Sequence, residues 1–238
     1  MIAGTVESPR SLVIAYIGIF ASLNVLADFI PFTPLLGLPG SSLSFGWIMA
    51  PLTGILLGAG PGAASCLLGS IIGTLLGQPL IFGLFTPFRA ALSATASGMV
   101  ASRRWQIPFL MLTSLIIIWL YLPTGREAYP VLVFHFAALA LILIFRGKLG
   151  VFLSSGSRKS LFKYSLAAYS GNVTRHLFGN ILSVLFYSLP AITFVLAIPY
   201  TFMEQLVFAL GTALTGASLK RLGIYKIMLL RSRDLEAE

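Results

Sequence analysis

The chain has 238 residues, of which 57% are hydrophobic and 10% are charged, whereas a typical soluble domain carries about 25% charged residues. So few charges cannot cover a water-facing surface, and the composition therefore argues against an ordinary soluble protein. The formal net charge of +9 does not indicate a nucleic-acid-binding protein, because the basic residues fall in short segments between apolar runs and form no single patch.

Apolar runs recur from one end of the chain to the other. A bilayer core about 30 Å thick is crossed by about 20 helical residues. These runs therefore predict an all-α polytopic membrane protein, a helical bundle of about eight transmembrane spans that forms a single transmembrane domain over residues 1–238. The predicted spans are, in chain order, residues 11–30, 43–60, 62–78, 86–101, 107–122, 131–146, 165–189 and 200–219.

The first three spans have distinctive sequences. The first is too long for the core of a signal peptide and lacks a small-x-small cleavage site, so we expect it to remain uncleaved. The second and third meet at a predicted turn over Gly60-Pro61-Gly62. Gly54, Gly58 and Gly62 recur at every fourth position, and this spacing predicts that the helices approach closely.

The distribution of basic residues predicts the orientation of the spans. If the amino terminus is cytoplasmic, 13 of the 16 Lys and Arg residues lie on the cytoplasmic side, Arg126 lies outside, and Arg89 and Arg175 fall within spans. We therefore predict a multi-pass protein of the cell membrane, with both termini and residues 147–163 in the cytoplasm. The 13 residues are Arg10, Arg103, Arg104, Arg146, Lys148, Arg158, Lys159, Lys163, Lys220, Arg221, Lys226, Arg231 and Arg233.

Five ionisable side chains fall within predicted spans, where insertion of a charge costs about 2.5–3.5 kcal/mol. They are Asp28, Arg89, Arg175, His176 and Glu204. Each therefore requires a partner, a water-filled cavity or a function. In the predicted topology Asp28, Arg89 and Glu204 lie at the outer ends of three different helices.

The seventh span adds a broad polar face. Asn172, His176 and Asn180 are four residues apart and share one side of a helix, with Arg175 on the adjoining strip. This face requires a polar interior, which is either a binding cavity or a closed hydrogen-bonded network between helices. Guanidinium groups suit carboxylates and phosphates, so a cavity predicts an acidic or amphoteric ligand. The candidate substrate-binding residues are Asp28, Arg89, Asn172, Arg175, His176, Asn180 and Glu204.

The sequence contains no familiar catalytic or nucleotide-binding motif. There is no G-x-x-x-x-G-K-[ST] loop, so we do not expect the chain to hydrolyse ATP. H-E-x-x-H, G-x-S-x-G and paired cysteines are also missing, and Cys66 is the single cysteine. We therefore predict a protein that is not an enzyme and that has no catalytic residue, no metal site and no cofactor.

Four segments together cover about half of the chain and carry a family resemblance. They are VIAYIGIFASLNVLADFIP in the first span, APLTGILLGAGPGAASCLLGSIIGTLLG, ALSATASGMVASRRW, and IPYTFMEQLVFALGTALTGASLKRLG at the last span. In order and character they resemble the substrate-binding S components of energy-coupling factor (ECF) vitamin transporters. The resemblance implies a subunit that captures a vitamin or similar small micronutrient from outside, in an outer pocket capped by residues 31–42.

The same resemblance implies partners for this subunit. They are a transmembrane coupling protein and two cytoplasmic ATPase subunits, which drive reorientation of the whole S component in the lipid bilayer. A pair of small residues on the first helix contacts the coupling protein in that family. The matching positions are Gly18 and Ser22, with Ala15 close by. S components usually have six spans, so the resemblance implies that residues 107–122 and 131–146 are an extra pair added to a six-span core.

Two other function classes stay open. Archaeosortases and exosortases are membrane transpeptidases with an essential Cys, Arg and His, and the residue types are present here as Cys66, Arg175 and His176, with GNVTRHLFGN similar to that group's arginine motif. A catalytic Cys66 does not tolerate alanine or serine, whereas a packing cysteine does. A secondary transporter driven by an ion gradient would use Asp28 or Glu204 as proton carrier, although the two halves show no inverted repeat.

Overall fold

A computed structural model describes residues 10–34, 42–146 and 157–221. This part of the chain is mostly helical. The predicted cytoplasmic location of the two termini, and of most of the loop over residues 147–163, concerns segments outside the described residues. The helices are α1 (Arg10–Asp28), α2 (Gly46–Leu57), α3 (Ala59–Leu75), α4 (Thr86–Ala101), α5 (Gln106–Tyr121), α6 (Pro123–Glu127), α7 (Val133–Phe145), α8 (Ser157–Tyr187), α9 (Ala191–Leu196) and α10 (Ile198–Arg221), with short 3-10 helices at Gly83–Phe85 and Tyr129–Leu132.

Each of the eight predicted spans overlaps one of these helices, which confirms an all-α helical bundle. Within the described residues two helices are both long and apolar enough to cross a bilayer, Ser11–Asp28 and Ile198–Leu219. The crossing of the bilayer by all eight helices stays a prediction. The shorter apolar helices are Gly46–Leu57, Ala59–Leu75, Gln106–Tyr121 and Tyr129–Phe145.

The turn between α2 and α3 lies earlier than the sequence predicts. The prediction that Gly60-Pro61-Gly62 forms this turn is wrong, because α3 already begins at Ala59. Gly58 makes the turn with a φ of 83°, a conformation that glycine adopts without steric cost. Pro61 is tolerated in the first turn of α3, because backbone N–H groups there have no intrahelical partner.

Helices α2, α3 and α4 pack closely through glycines, as the spacing of small residues predicts. A Cβ atom built on Gly54 would lie 2.0 Å from the backbone oxygen of Ala94, and one on Gly62 would lie 2.7 Å from Cα of Gly54. One on Gly98 would lie 2.6 Å from the backbone nitrogen of Ala59. These close contacts are made with backbone atoms, so a larger residue would force the helices apart.

A β-hairpin covers the end of the bundle at which α1 ends and α2 begins. Its strands, β1 (Pro31–Pro34) and β2 (Ser42–Ser44), pair antiparallel, and residues 35–41 between them lie outside the described residues. The ring of Phe32 lies 5.6 Å from that of Phe45 and 5.3 Å from that of Phe208. The hairpin is therefore attached both to the start of α2 and to α10.

Helices α5 and α7, the extra pair of the sequence analysis, pack against α8. Their shared apolar core includes Trp119 of α5, Ala138 of α7 and Leu177 of α8. The ring of Trp119 also lies 5.1 Å from that of Phe194 in α9. The pair thus extends the bundle on one side of α8, while α4 and α10 pack on the same long helix.

The described helices expose many large apolar side chains and bury polar ones beside an apolar core. Large apolar side chains are exposed on most helices, and Leu75, Leu84 and Tyr121 are 81%, 83% and 85% exposed. Buried positions include serine, threonine, asparagine, glutamine, histidine and arginine side chains. Monomeric soluble proteins rarely expose large apolar patches, so the outer surface of this bundle is suited to contact with lipid or with another protein.

Candidate functional site

A polar cavity lies at the end of the bundle beside the β-hairpin. Its volume is about 70 Å³, which is room for roughly five to seven water molecules at 10–15 Å³ each. The hairpin, the starts of α2, α4 and α10, the second half of α8, and α9 all contribute to its wall. Its polar and aromatic lining residues are Trp47, Phe82, Arg89, His176, Asn180, Ser183, Thr193, Phe194, Tyr200, Thr201 and Glu204.

Arg89, in the first turn of α4, is 8% exposed and lines this cavity. Its Cζ atom lies 4.9 Å from the Phe82 ring and 5.7 Å from the Trp47 ring, so aromatic side chains flank the guanidinium. Neither its Nε nor its terminal nitrogens form a hydrogen bond or ion pair with a described residue. A buried guanidinium whose donors are unused destabilises the fold unless something in the cavity satisfies it.

Gly179 in α8 provides the space that Arg89 occupies. A Cβ atom on Gly179 would lie 3.1 Å from Nη2 and 3.2 Å from Nε of Arg89. The backbone oxygen of Gly179 accepts a hydrogen bond of 2.9 Å from the Ser183 hydroxyl. Arg89 therefore lies directly against the stretch of α8 that forms the cavity wall.

Two histidines stack beside the cavity. His176 of α8 lines it, and the ring of the fully buried His135 of α7 lies 5.6 Å from that of His176. Nδ1 of His135 is 3.2 Å from the Val131 carbonyl oxygen, and the Val173 carbonyl is a second backbone acceptor for this ring. Nε2 of His135 and Nδ1 of His176 are 3.5 Å apart. When His135 carries its proton on Nδ1, its Nε2 accepts from His176, and Nε2 of His176 is then an acceptor for a ligand.

Asn180 and Glu204 complete the polar lining from α8 and α10. The Asn180 amide hydrogen-bonds to no described residue. Glu204 is partly exposed, and the Thr33 side chain of β1 lies beside its carboxylate. Within the described part of the chain Glu204 and Arg89 form no ion pair with each other. The cavity thus contains a positive and a negative side chain that do not neutralise each other by direct contact.

Arg175 also contacts Trp47, but it is not part of the cavity lining. It is 7% exposed, its Cζ atom lies 4.4 Å from the Trp47 ring, and its Nη1 donates a hydrogen bond of 3.0 Å to the Gly46 carbonyl oxygen. The Ser44 hydroxyl donates to Asp28 Oδ1 at 2.7 Å and accepts from the Gly46 N–H at 3.3 Å. These contacts hold the end of α1 and the start of α2 against α8.

The seven predicted binding residues separate into two groups. Arg89, His176, Asn180 and Glu204 line the cavity, whereas Asp28, Asn172 and Arg175 belong to the packing around it. Asn172 is fully buried and its Oδ1 accepts a hydrogen bond of 3.4 Å from Ser93 of α4. Its Nδ2 has no partner in the described part of the chain.

His135 and the aromatic residues of the site are not among the residues predicted from the sequence. His135 lies within a predicted span, in the run VLVFHFAALALILIF. An ionisable side chain within a predicted span was the criterion that identified His176, and His135 meets it as well. Trp47 and Phe82 had no such signal, because a chain with 18 Phe and 3 Trp residues offers too many aromatic positions.

Cys66 of α3 does not line the cavity. Its Sγ atom lies 3.7 Å from Asn24 Oδ1 and 3.9 Å from the Ala50 carbonyl oxygen, and the residue is 1% exposed. The geometry therefore gives Cys66 a packing position and does not bring it into the cavity with His176. Among residues 10–34, 42–146 and 157–221, no three His, Cys, Asp or Glu side chains are grouped so that they could hold a metal ion.

Ala15, Gly18 and Ser22 lie on an exposed face of α1. A Cβ atom on Gly18 would meet no heavy atom within 4 Å, and the Ser22 hydroxyl donates to the Gly18 carbonyl oxygen at 3.1 Å. The larger neighbours Ile19 and Leu26 are 54% and 63% exposed. Small residues between larger apolar ones allow another helix to approach closely.

No protein-family model matches the chain. An uncharacterized protein of Methanocaldococcus jannaschii, MJ0923, is 26% identical to it over 202 residues, which are 83% of this chain and 67% of that protein. No solved structure matches the chain. The function is therefore inferred from the cavity and from the surface of the bundle.

Proposed function

We propose that the chain is a membrane-embedded subunit that binds a vitamin or similar small micronutrient for uptake, and that a separate ATPase module energises it, as in ECF S components. The observation that carries the proposal is the cavity beside the hairpin with the unpaired Arg89 in its wall. Arg175, which packs α2 against α8, uses its Nη1 in a hydrogen bond. None of the Arg89 donors is used by a described residue, and they border space that a solute can occupy.

The surface of the bundle supports eight crossings of the cell membrane. Exposed apolar side chains suit lipid, and buried polar side chains suit a bundle that is hydrophilic only in its interior. Helix α8 has 31 residues and is about 46 Å long at 1.5 Å per residue, more than the bilayer core requires. The shorter α2 and α7, with 12 and 13 residues, need the adjoining hairpin and 3-10 helix to complete their crossings.

The charge distribution supports a cavity that opens toward the outside of the cell. Arg89 lies at the start of α4, whereas Arg103 and Arg104 follow its other end. Arg146 lies at that end as well, with its Cζ atom 5.7 Å from the Trp105 ring. Basic residues that flank spans favour the cytoplasmic side. This polarity supports a hairpin that caps the outer end of the cavity, and termini on the cytoplasmic side.

The exposed α1 face of Ala15, Gly18 and Ser22 is the proposed contact with a transmembrane coupling protein. Its small residues let two helix backbones come close, which favours van der Waals contact along the helices. The sequence encodes no phosphate-binding loop. Energy would therefore come from two cytoplasmic ATPase subunits attached to the coupling protein.

Gentle purification of the full-length chain in lipid nanodiscs, followed by mass spectrometry of retained small molecules and proteins, tests the proposal. We expect a retained solute whose amount falls in Arg89→Ala, and a co-purifying ATPase. Arg126→Ala is the control, because Arg126 is exposed and lies outside the cavity lining. Retention of neither a solute nor an ATPase would show that the proposal is wrong.

A secondary transporter driven by an ion gradient is the second candidate, because Glu204 lines the cavity and can carry a proton. The two candidates differ in their energy source. Uptake that needs ATP and survives collapse of the proton gradient supports the first. Uptake that is lost on collapse at constant ATP, and that is lost in Glu204→Gln, supports the second.

A further inference from the structure

We propose that the cavity binds a small zwitterion, with its carboxylate on Arg89 and its ammonium group at Glu204. This inference rests on the proposed function, because it names the class of solute that the same cavity takes. Three features of the cavity lead to it: an arginine whose donors are unused, a carboxylate that is not paired with that arginine, and a volume that fits few atoms.

Arg89 provides the anion-binding end. The side chain is 8% exposed, and none of its donors is used by a described residue. A carboxylate matches two donors of a planar guanidinium at once. Among the described lining residues Arg89 is the one arginine, since Arg175 donates to the Gly46 carbonyl oxygen and lies outside the lining. A single negative charge is therefore compensated, whereas a phosphate dianion is not.

Glu204 provides the charge at the other end of the ligand. It lines the same cavity and, within the described residues, forms no ion pair with Arg89, so both charges are available to a solute. The amide oxygen of Asn180 adds a neutral acceptor to the wall, and so does Nε2 of His176 when its Nδ1 donates to His135. An ammonium group satisfies such acceptors, whereas a second carboxylate on the ligand would be repelled by Glu204.

The volume of the described cavity favours a small ligand, and residues 35–41 of the adjoining hairpin lie outside the described residues. About 70 Å³ holds roughly five to seven water molecules, so a ligand with about that many non-hydrogen atoms fills the cavity. β-Alanine has this size and carries both charges. It is therefore a suitable probe, because each of its charges can be removed without a large change in shape.

Calorimetric titration of the full-length chain in nanodiscs with β-alanine, propionate and β-alaninamide tests the inference. Propionate lacks the ammonium group, and β-alaninamide lacks the carboxylate. We expect β-alanine to bind at least about tenfold more tightly than either analogue, because each analogue leaves one buried charge of the cavity without its partner.

Substitutions separate the two ends of the site. Arg89→Gln should weaken β-alanine binding at least about tenfold, while the exposed control Arg126→Gln leaves it unchanged. Glu204→Gln should abolish the preference for β-alanine over propionate. If Arg89→Gln does not fold, Arg89→Lys retains the charge without the bidentate geometry. It should weaken β-alanine binding but keep the preference over β-alaninamide.

The outcomes distinguish this inference from the proposed function. Equal binding of β-alanine and β-alaninamide, or unchanged affinity in Arg89→Gln, would overturn the inference. Failure of β-alanine to bind would overturn it as well, and mass spectrometry of molecules retained from cells then decides the larger question. A retained molecule without a carboxylate leaves the proposed function intact, whereas retention of no molecule removes both.

Discussion

The glycine-packed region of α2 and its neighbours and the cavity beside the hairpin bury polar groups in different ways. In the packed region Asn24 donates to the Thr53 hydroxyl at 3.0 Å, and Thr53 donates to the Met49 carbonyl oxygen at 2.8 Å, whereas the Ser97 hydroxyl of α4 has no described partner. In the cavity, Arg89 and Asn180 hydrogen-bond to no described residue. Burial of a polar group in this chain therefore does not by itself mark a functional site.

Two arginines show the same difference within one neighbourhood. Arg89 and Arg175 are 8% and 7% exposed, and both contact the Trp47 ring. Arg175 donates through Nη1 to the Gly46 carbonyl oxygen and holds α2 in place, although its Nε has no described partner. Arg89 borders the cavity, and none of its donors is used by a described residue. A binding residue is distinguished from a structural one by unused hydrogen-bonding capacity next to space that a ligand can enter.

Gly54→Ala is expected to have the largest effect, because it breaks the packed region. Its Cβ atom would lie 2.0 Å from the backbone oxygen and 2.6 Å from Cα of Ala94, so the backbone of α2 or α4 has to shift. We expect the free energy of unfolding to fall by about 1–3 kcal/mol or more, measured by denaturant titration.

Gly60→Ala is the matched control for this substitution. Gly60 is exposed in α3, and its Cβ atom would meet no heavy atom within 4 Å. We expect no loss of stability, or a gain of up to about 1 kcal/mol, since alanine favours the helix. Equal losses in the two variants would contradict the close-packing explanation.

His135→Phe tests the cavity side of the comparison, and its expected effect is smaller than that of Gly54→Ala. The substitution keeps a ring behind His176 but removes Nε2 of His135, which lies 3.5 Å from Nδ1 of His176. We expect β-alanine affinity to fall about two- to tenfold, which corresponds to one neutral hydrogen bond of about 0.5–1.5 kcal/mol.

A spectroscopic measurement separates this positioning role from a general loss of packing. The chain has 2 His residues, so the nitrogen-15 ring signals that remain in His135→Phe belong to His176. We expect His176 to be protonated on Nδ1 in the native protein and to be a mixture of tautomers in the variant. The same tautomer in both proteins would rule out the positioning role.

Ser22→Leu, on the exposed face of α1, is expected to have the smallest effect on the chain itself. Added bulk there should reduce co-purification of the coupling partner, while the thermal stability and the solute binding of the chain stay unchanged. Gly18→Leu should act in the same way. Thr215→Leu is the control, because Thr215 is also exposed and donates to its own helix, at 2.9 Å to the Gly211 carbonyl oxygen. Equal loss of the partner in both variants would argue against a specific α1 surface.

The helices were predictable from the sequence, whereas the hairpin was not. Apolar runs in the sequence predicted all eight long helices. Such a run is present whether the apolar side chains of a helix pack in the core or remain exposed on the surface of the bundle. Strand β1 begins at Pro31 and ends at Pro34. Proline is depleted in strands, so this segment indicated a loop. The hairpin depends on contacts of Phe32 with distant helices, which no local pattern shows.

The candidate site was predictable only in part. The spacing of four on α8 identified His176 and Asn180, which both line the cavity. It also selected Asn172, which lies one turn before His176 and accepts a hydrogen bond from Ser93 of α4. A long helix contacts different neighbouring helices along its length. Arg175 pairs with a backbone oxygen 129 residues away in the chain. Periodicity within one helix cannot distinguish such a tertiary contact from a position in a cavity.

The central claim is that Arg89 is available to a ligand while Arg175 is structural. Thermal unfolding of Arg89→Met and Arg175→Met, measured side by side without solute, tests it most directly. Arg175→Met should unfold at a lower temperature, with a loss of about 1.5–3 kcal/mol, because the Gly46 carbonyl oxygen loses its charged donor. Arg89→Met should unfold at the native temperature or above, because an unpaired buried charge opposes folding. An equal loss of stability in Arg89→Met would contradict the account and make Arg89 part of the packing between helices.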